Sequence, residues 1–392
     1  CFFACHKSEK DEMTIIPHPK RSLILGSYFN LDNFNVYADK NSTAIAELLN
    51  IELNKLDYAS DSIILFEDPI KDFSINLLID SSINTHSEYY DLEVNKNFIL
   101  IKGSDREGLI HGIYSLIQLI PRSSGFHDSK LACVKIKDYP KFKWRGLLLD
   151  CCRHFMSIDF VKRYIDLLAY HKMNVFHWHL TEDQGWRIEI ERYPKLNSIG
   201  SYRKDSTGFY GGFYTKNEIR EVVNYAAERY IEIIPEIELP GHSTAAIASY
   251  PNLSCKQKTI EVANTWGVFK DIYCAGNDSV FLFLENVFEE IIDLFPSKRI
   301  HIGGDEAPKF RWQHCEKCQS RMKTENLSDE HELQSYFIER VANILSKKKR
   351  TIIGWDEILE SEISIPAIVQ SWRGFEGGIK AAKQGKKAIM SP

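Results

Sequence analysis

The chain has 392 residues, 44% hydrophobic and 26% charged, with a formal net charge of -5. A single core stops growing near ~250–300 residues, so two globular domains are expected. The acidic balance, with no basic cluster beyond Lys347-Lys348-Lys349-Arg350, argues against a nucleic-acid partner, and no apolar run reaches the ~18 residues of a membrane helix.

The chain opens Cys1-Phe2-Phe3-Ala4-Cys5, without an initiator Met, and continues with the polar Lys7-Ser8-Glu9-Lys10-Asp11-Glu12. An apolar stretch ending in a cysteine before a charged tether resembles the end of an export signal at a bacterial lipoprotein cysteine. Residues 1–12 are read as that remnant and tether. Cys5 is the expected lipid anchor of an exported, periplasmic or outer-membrane protein.

From Met13 to Asp138 the pattern predicts a small α+β domain with helices on one face of a sheet. Ser62–Phe66, Ile75–Ile79 and Asn97–Ile101 are short apolar runs of strand length, and Glu88–Val94 alternates as a strand paired to the last of them. Leu109, Gly112, Ile113, Leu116, Ile117 and Ile120 recur at helical spacing before Pro121 ends the run. No acid pair or metal-ligand spacing stands out here, so a structural role is expected.

Beyond Tyr139-Pro140 strands and helices alternate. Strands are predicted at Trp144–Leu149, Asn174–Leu180, Ile231–Ile237, Arg299–Ile302, Thr351–Trp355, Ala367–Ser371 and Lys387–Met390, and helices at Ile158–His171, Lys216–Arg229, Val280–Leu294, Glu330–Ser346 and Gly374–Gln384. That order implies a parallel sheet. Polar and aromatic residues recur past the predicted strand ends, at Arg153, Asp183, Glu236 to His242, Asp305-Glu306, Trp355-Asp356-Glu357 and Trp372-Arg373. Convergence from many strands on one rim favours a (β/α)8 TIM-type barrel over a doubly wound sheet. The seven strands of residues 139–392 leave the eighth strand and its helix beyond Pro392, so the barrel is expected to be incomplete at its C-terminal end.

The strand around Ile300 to Ile302 runs into Gly303-Gly304-Asp305-Glu306, with Pro308 barring further regular pairing. Adjacent carboxyls in a confined site resist joint ionisation, which splits them into an acid and an anion. The glycines let a ligand approach the backbone. His242 sits on a Pro240-Gly241 turn where Asp183 can hold its imidazole in one tautomer. Trp355 and Trp372 beside carboxylates read as walls for a sugar ring, with Arg153 among the groups that bond its hydroxyls.

His177-Trp178-His179 places two histidines on one strand face, the His-x-His of zinc amidohydrolases, with His242 and His301 as further ligands; that is an alternative enzyme class. The nine cysteines are scattered. Cys315-Glu316-Lys317-Cys318 is a lone CxxC without a second pair, which disfavours structural zinc against a loop disulfide or free thiols, and Cys255 and Cys274 flank a loop that a disulfide would close in an oxidising compartment.

Arg145-Gly146, Leu149-Asp150, Arg153-His154-Phe155, His177-Trp178-His179-Leu180, Asp183-Gln184-Gly185-Trp186-Arg187, Pro235-Glu236, Pro240-Gly241-His242, His301–Glu306, Gly354-Trp355-Asp356-Glu357 and Gln370-Ser371-Trp372 follow one another in the chain. In that order they resemble the family 20 glycoside hydrolases, the β-N-acetylhexosaminidases, over about Trp144 to Pro392. The preceding domain is similar to the one before the barrel in that family.

The resemblance implies Glu306 as general acid and Asp305 as the group that holds the substrate's 2-acetamido N–H. The acetamide oxygen, rather than a protein nucleophile, attacks the anomeric carbon, giving an oxazolinium intermediate and retention. Arg153 would grip the hydroxyls of a terminal sugar, implying exo action. Asp183 and His242 would support the acid, Trp355 and Trp372 would wall the acetamide pocket, and His179, Glu238 and His301 would be supporting residues. A tyrosine after the seventh strand and a later tryptophan would complete the pocket beyond Pro392. The expected substrates are N-acetylhexosamine-terminated glycans or chitooligosaccharides, with no metal or cofactor. A non-catalytic sugar-binding barrel is the other alternative.

Overall fold

A computed structural model describes residues 13–32, 34–58, 63–65, 70–121, 129–206, 208–360 and 363–391. Cys5, the expected anchor, lies outside them. Among the described residues no helix is long and apolar enough to cross a membrane. The chain divides into two compact units. One comprises the described residues up to Arg145 with Asp166–Asn174 and Glu228–Tyr230; the other comprises Gly146–Ile165, Val175–Ala227 and the residues from Ile231 onward.

The first unit holds a seven-stranded sheet, in the order Arg21–Asn30, Lys130–Asp138, Tyr90–Val94, Phe98–Gly103, Ser74–Ile79, Asn35–Ala38 and Ile63–Leu65. The first three neighbouring pairs are antiparallel and the last three parallel. Three of these strands, Arg21–Asn30, Asn35–Ala38 and Lys130–Asp138, escape the apolar-run criterion. Arg21–Asn30 is an edge strand exposed along most of its length, and Lys130–Asp138 buries Leu131, Cys133, Val134 and Ile136 between exposed lysines. Helix Arg106–Leu119 begins ahead of the first spaced apolar residue, Leu109, because the Asp105 side chain accepts from the Gly108 amide at 2.8 Å. Ile120 turns extended, as the residue before a proline must. A second helix, Thr43–Asn54, was not anticipated.

The second unit is built on seven parallel strands: Gly146–Asp150, Val175–His179, Glu232–Leu239, Arg299–Gly303, Thr351–Trp355, Ala367–Ser371 and Lys387–Met390. Each pairs with the next in chain order. The order never reverses, as it must at the switch point of a doubly wound sheet, so this is the wall of a TIM-type barrel, with the first and seventh strands as its edges. Helices Ile158–Tyr170, Lys216–Glu228, Asp278–Leu294, Glu330–Lys347 and Glu376–Lys383 alternate with the strands, within a few residues of the predicted bounds.

The third strand departs from expectation in a way that matters. It runs on to Leu239, past the predicted end at Ile237, so Glu238 joins Glu236 within the strand. Strand alternation puts both on the same face, where each is buried. Glu236 pairs in register with His179 of the second strand and His301 of the fourth.

Candidate active site

The fourth strand ends at Gly303, and three of the next four residues, counting Gly303, have positive φ. Gly303 has φ +65°, Gly304 φ +92° and Glu306 φ +42°. A side chain on Gly304 would meet Ile358 Cγ2 at 2.6 Å. Left-handed backbone at a non-glycine residue is costly and clusters where function demands it. Here it sets Asp305 and Glu306 side by side: Asp305 is 15% exposed and Glu306 40%.

His242 meets both acids. Its Nε2 lies 3.4 Å from Asp305 Oδ2 and 3.6 Å from Glu306 Oε2, while Nδ1 faces Glu182 Oε1 at 2.8 Å and Asp183 Oδ2 at 3.1 Å. His242 is itself in left-handed backbone, φ +47°. Burial opposes its charge, yet the carboxylates of Asp183, Asp305 and Glu182 hold its proton far above the usual imidazole range. Asp183 is fixed in turn by the Thr244 amide, which donates to Oδ1 at 2.9 Å, and by the Thr244 hydroxyl.

Glu182, adjacent to Asp183, was not singled out as a site residue, yet it links the two halves of the cluster. Arg153 Nη2 lies 3.2 Å from Glu182 Oε1 and His179 Nε2 lies 3.3 Å from Oε2. Burial alone would raise its carboxyl; the imidazoles of His179 and His242 bring it down to about 2. Its signal was the same adjacency of two acids that drew attention to Asp305 and Glu306.

Arg153 is anchored by Asp150, whose Oδ2 accepts from Nη1 at 2.8 Å. Its guanidinium also lies 5.5 Å from the ring centre of Trp266, a tryptophan that is 74% exposed and that sequence reading passed over. The loop carrying Arg153 is held from beneath by Arg187, fully buried, which donates to the carbonyls of Cys151 at 3.0 Å, Cys152 at 2.5 Å, Ser201 at 2.6 Å and Gly212 at 2.9 Å. Several buried atoms of the cluster have no hydrogen-bond partner of good geometry, among them Arg153 Nε, both Glu182 carboxylate oxygens, His179 Nε2, His242 Nε2 and Asp305 Oδ1. Such atoms are costly unless a ligand completes them.

Below this layer, Glu236 is surrounded. His177 Nε2 is 2.8 Å, His179 Nδ1 2.5 Å and His301 Nδ1 2.7 Å from its oxygens, and Trp355 Nε1 donates at 3.0 Å. Burial would raise the Glu236 carboxyl, but the imidazoles of His301 and His179, with the hydrogen bond from His177, hold it well below the carboxylate range. Burial lowers His177 to about 4, so that ring is neutral at pH 7. The histidine pair of the alternative metal reading, His177 and His179, meets a carboxylate that also takes His301 and the Trp355 indole, an arrangement that reads as a hydrogen-bonded support beneath the site.

Glu238 has the opposite environment. Burial first, then the charges of Asp305 and Glu236, push its carboxyl well above the normal range.

The two tryptophans part company. Trp372 is 41% exposed and borders an open cleft of about 320 Å³ that Glu306, Gln334 and Glu357 also line. Its Nε1 donates to Glu357 at 3.0 Å. Burial raises the Glu357 carboxyl to about 7, with the charge of Asp305 adding to it. Trp355 is half-buried, its ring 4.8 Å from that of His301, and it does not border the cleft. The predicted loop disulfide is not formed: Cys255 and Cys274 are free thiols in a group with Cys315 and Cys318.

Residues 142–392 match the family model for the glycosyl hydrolase family 20 catalytic domain, and residues 12–139 that for domain 2 of the same family. The chain is 43% identical over 388 residues to a beta-hexosaminidase of Porphyromonas gingivalis, covering 97% of this chain and 50% of that protein. It is 39% identical over 316 residues to a beta-hexosaminidase of Vibrio furnissii, covering 77% of this chain and 51% of that one. The chain thus spans about half the length of these curated relatives. Among solved structures it superposes with a TM-score of 0.84, at 33% identity, on a beta-N-acetylhexosaminidase of Bacteroides fragilis, covering 96% of this chain and 74% of that one. It also superposes with a TM-score of 0.86, at 32% identity, on a family 20 exo beta-N-acetylglucosaminidase of Vibrio harveyi in complex with N-acetylglucosamine, covering 97% and 60%. With both of its compact units matched in this way, the chain belongs to glycosyl hydrolase family 20.

Proposed function

We propose that the protein containing this chain is an exo-acting β-N-acetylhexosaminidase that removes terminal N-acetylhexosamine from glycans or chitooligosaccharides with retention, using the substrate's own amide as nucleophile. The observation that carries the reading is the unbroken ionic chain from Arg153 through Glu182 and His242 to the adjacent carboxylates Asp305 and Glu306.

In this reading Asp305 Oδ1, buried and unpartnered, accepts the acetamido N–H, and its charge offsets the positive charge that grows on the amide. The acetamide oxygen attacks the anomeric carbon as the glycosidic C–O bond breaks, and Glu306 transfers its proton to the leaving oxygen. Water then opens the oxazolinium ion at the same carbon, giving its proton back to Glu306. An internal nucleophile spares the entropy of assembling a separate one. Arg153, with a free Nε–H, supplies donors for ring hydroxyls, and Trp372 offers an apolar face beside Glu306.

The test compares a chromogenic 2-acetamido-2-deoxyglucoside with the matching 2-hydroxyl glucoside on the intact protein. The acetamido substrate should turn over at least about 100-fold faster, a modest part of what intramolecular attack supplies. Equal rates would overturn the assisted mechanism, and binding of N-acetylglucosamine without hydrolysis of either would favour a sugar-binding barrel.

A further inference from the structure

Four cysteines far apart in the sequence meet in the second unit. Cys255 and Cys274 come from the loop after the third barrel strand, Cys315 and Cys318 from the segment after the fourth, and all four thiols lie within 4.8 Å of one another. Sulfur separations are 3.8 Å for Cys255–Cys318, 3.8 Å for Cys274–Cys315 and 3.7 Å for Cys274–Cys318. Four sulfurs at about 2.3 Å from a central zinc stand about 3.8 Å apart at the corners of a tetrahedron. Disulfide sulfurs would be about 2.05 Å apart and would join in pairs. Here Cys274 and Cys318 each approach more than one neighbour, a sharing that pairwise bonds do not need and a common centre does.

The surroundings suit thiolates. Cys274, Cys315 and Cys318 are buried and Cys255 is half-buried. Cys315 caps helix Glu316–Glu325, so the CxxC sits at the positive end of a helix. A β-carbon on Gly276 would come within 2.2 Å of the Lys317 backbone, so only glycine lets the two loops close together there.

We propose that Cys255, Cys274, Cys315 and Cys318 bind one zinc ion in a closed structural site that clips the loop following the third barrel strand to the segment following the fourth. Four protein ligands leave no open position, so the ion holds structure and does no chemistry. The clip works alongside direct ties between the same segments. Arg311 pairs with Asp271 at 2.8 and 3.0 Å, and Trp312 Nε1 donates to the Tyr273 carbonyl at 2.9 Å. The Tyr273 amide donates to the Pro240 carbonyl at 3.0 Å, two residues before His242, so the clip steadies the base of the turn that faces Asp305 and Glu306.

The intact protein, purified without added metal or chelator, is analysed by elemental mass spectrometry and by thiol titration in the presence of a zinc-binding dye. About one zinc per chain is expected, released in step with reaction of four thiols. Cys315→Ser and Cys318→Ser should each cut zinc to below about a tenth and lower Tm by roughly 5 °C or more. If a serine variant does not yield soluble protein, the titration of the unaltered protein decides. No zinc, another metal in its place, Cys255 and Cys274 found in disulfides, or zinc retained undiminished in both variants would each overturn the proposal and leave the hexosaminidase reading standing.

Discussion

A β-carbon placed on Gly303 would fall 1.6 Å from Glu238 Oε2. The carboxyl of the third strand thus fills the space a side chain of the fourth would take, in the layer directly beneath Asp305. Glycine is required twice over, because φ at Gly303 is +65°. Gly303→Ala should destabilise the protein by about 2 kcal/mol or more, combining backbone strain with displacement of a buried carboxyl, and should lower kcat as well. Urea unfolding followed by activity at permissive temperature measures both; an unchanged Cm would contradict the packing.

Glu238 carries its proton in the folded state well above the value of 4.5 it has when unfolded. Between those two values the folded protein binds a proton that the unfolded chain has released, so stability falls as pH rises. Glu238→Gln removes that term. The variant should gain stability relative to the unaltered protein on going from pH 4.5 to pH 8, read as the difference in Tm across that range. Parallel Tm curves would show that Glu238 is ionised.

Glu182 behaves in the reverse sense. With its folded value near 2, it stabilises the protein above pH 4.5, and that contribution is lost as pH falls through about 2. Glu182→Gln strips the shared counter-charge from Arg153, His179 and His242 and should cost about 3 kcal/mol at pH 7. The imidazole of His242 should then titrate at lower pH, as an NMR titration of its ring carbons would record. A variant of native stability with an unmoved His242 would remove Glu182 from the link.

For the chemistry, Glu306→Gln should reduce kcat/KM by about 100- to 10,000-fold on substrates with poor leaving groups and far less on activated aryl glycosides, the split expected of a general acid. Asp305→Asn should cost about 100- to 1,000-fold on both. Equal losses for Glu306→Gln on the two substrate classes, or near-normal turnover by Asp305→Asn, would reverse these assignments.

Glu357 has a carboxyl raised to about 7 beside Trp372 and Glu306 on the cleft. Its ionisation should appear as an inflection near pH 7 in the kcat/KM profile, and Glu357→Gln should remove that inflection. A profile identical in variant and unaltered protein would place the titration elsewhere.

Much of this was legible in the residues. Seven barrel strands and their helices follow from apolar runs alternating with helical periods, because each run must bury against neighbours whatever the tertiary arrangement. The rim residues Arg153, Asp183, His242, Asp305, Glu306 and Trp372 stood out because polar groups directly after buried strands are otherwise hard to explain. The edge strand Arg21–Asn30 did not, since an exposed edge needs no apolar pattern.

Local pattern established the parallel α/β order, the turn at Gly303-Gly304 and the adjacent acids, because each depends on neighbours within a few residues. Tertiary structure alone decided that Glu182 joins Arg153 to His242, that Glu236 collects three imidazoles while the carboxyl of Glu238, two residues on, is pushed well above its usual range, and that Trp355 turns inward where Trp372 faces the cleft. It alone brought Cys255 and Cys274 to Cys315 and Cys318. Charge state and ligand geometry depend on what lies within a few ångströms in space, and the residues concerned are up to 119 positions apart along the chain.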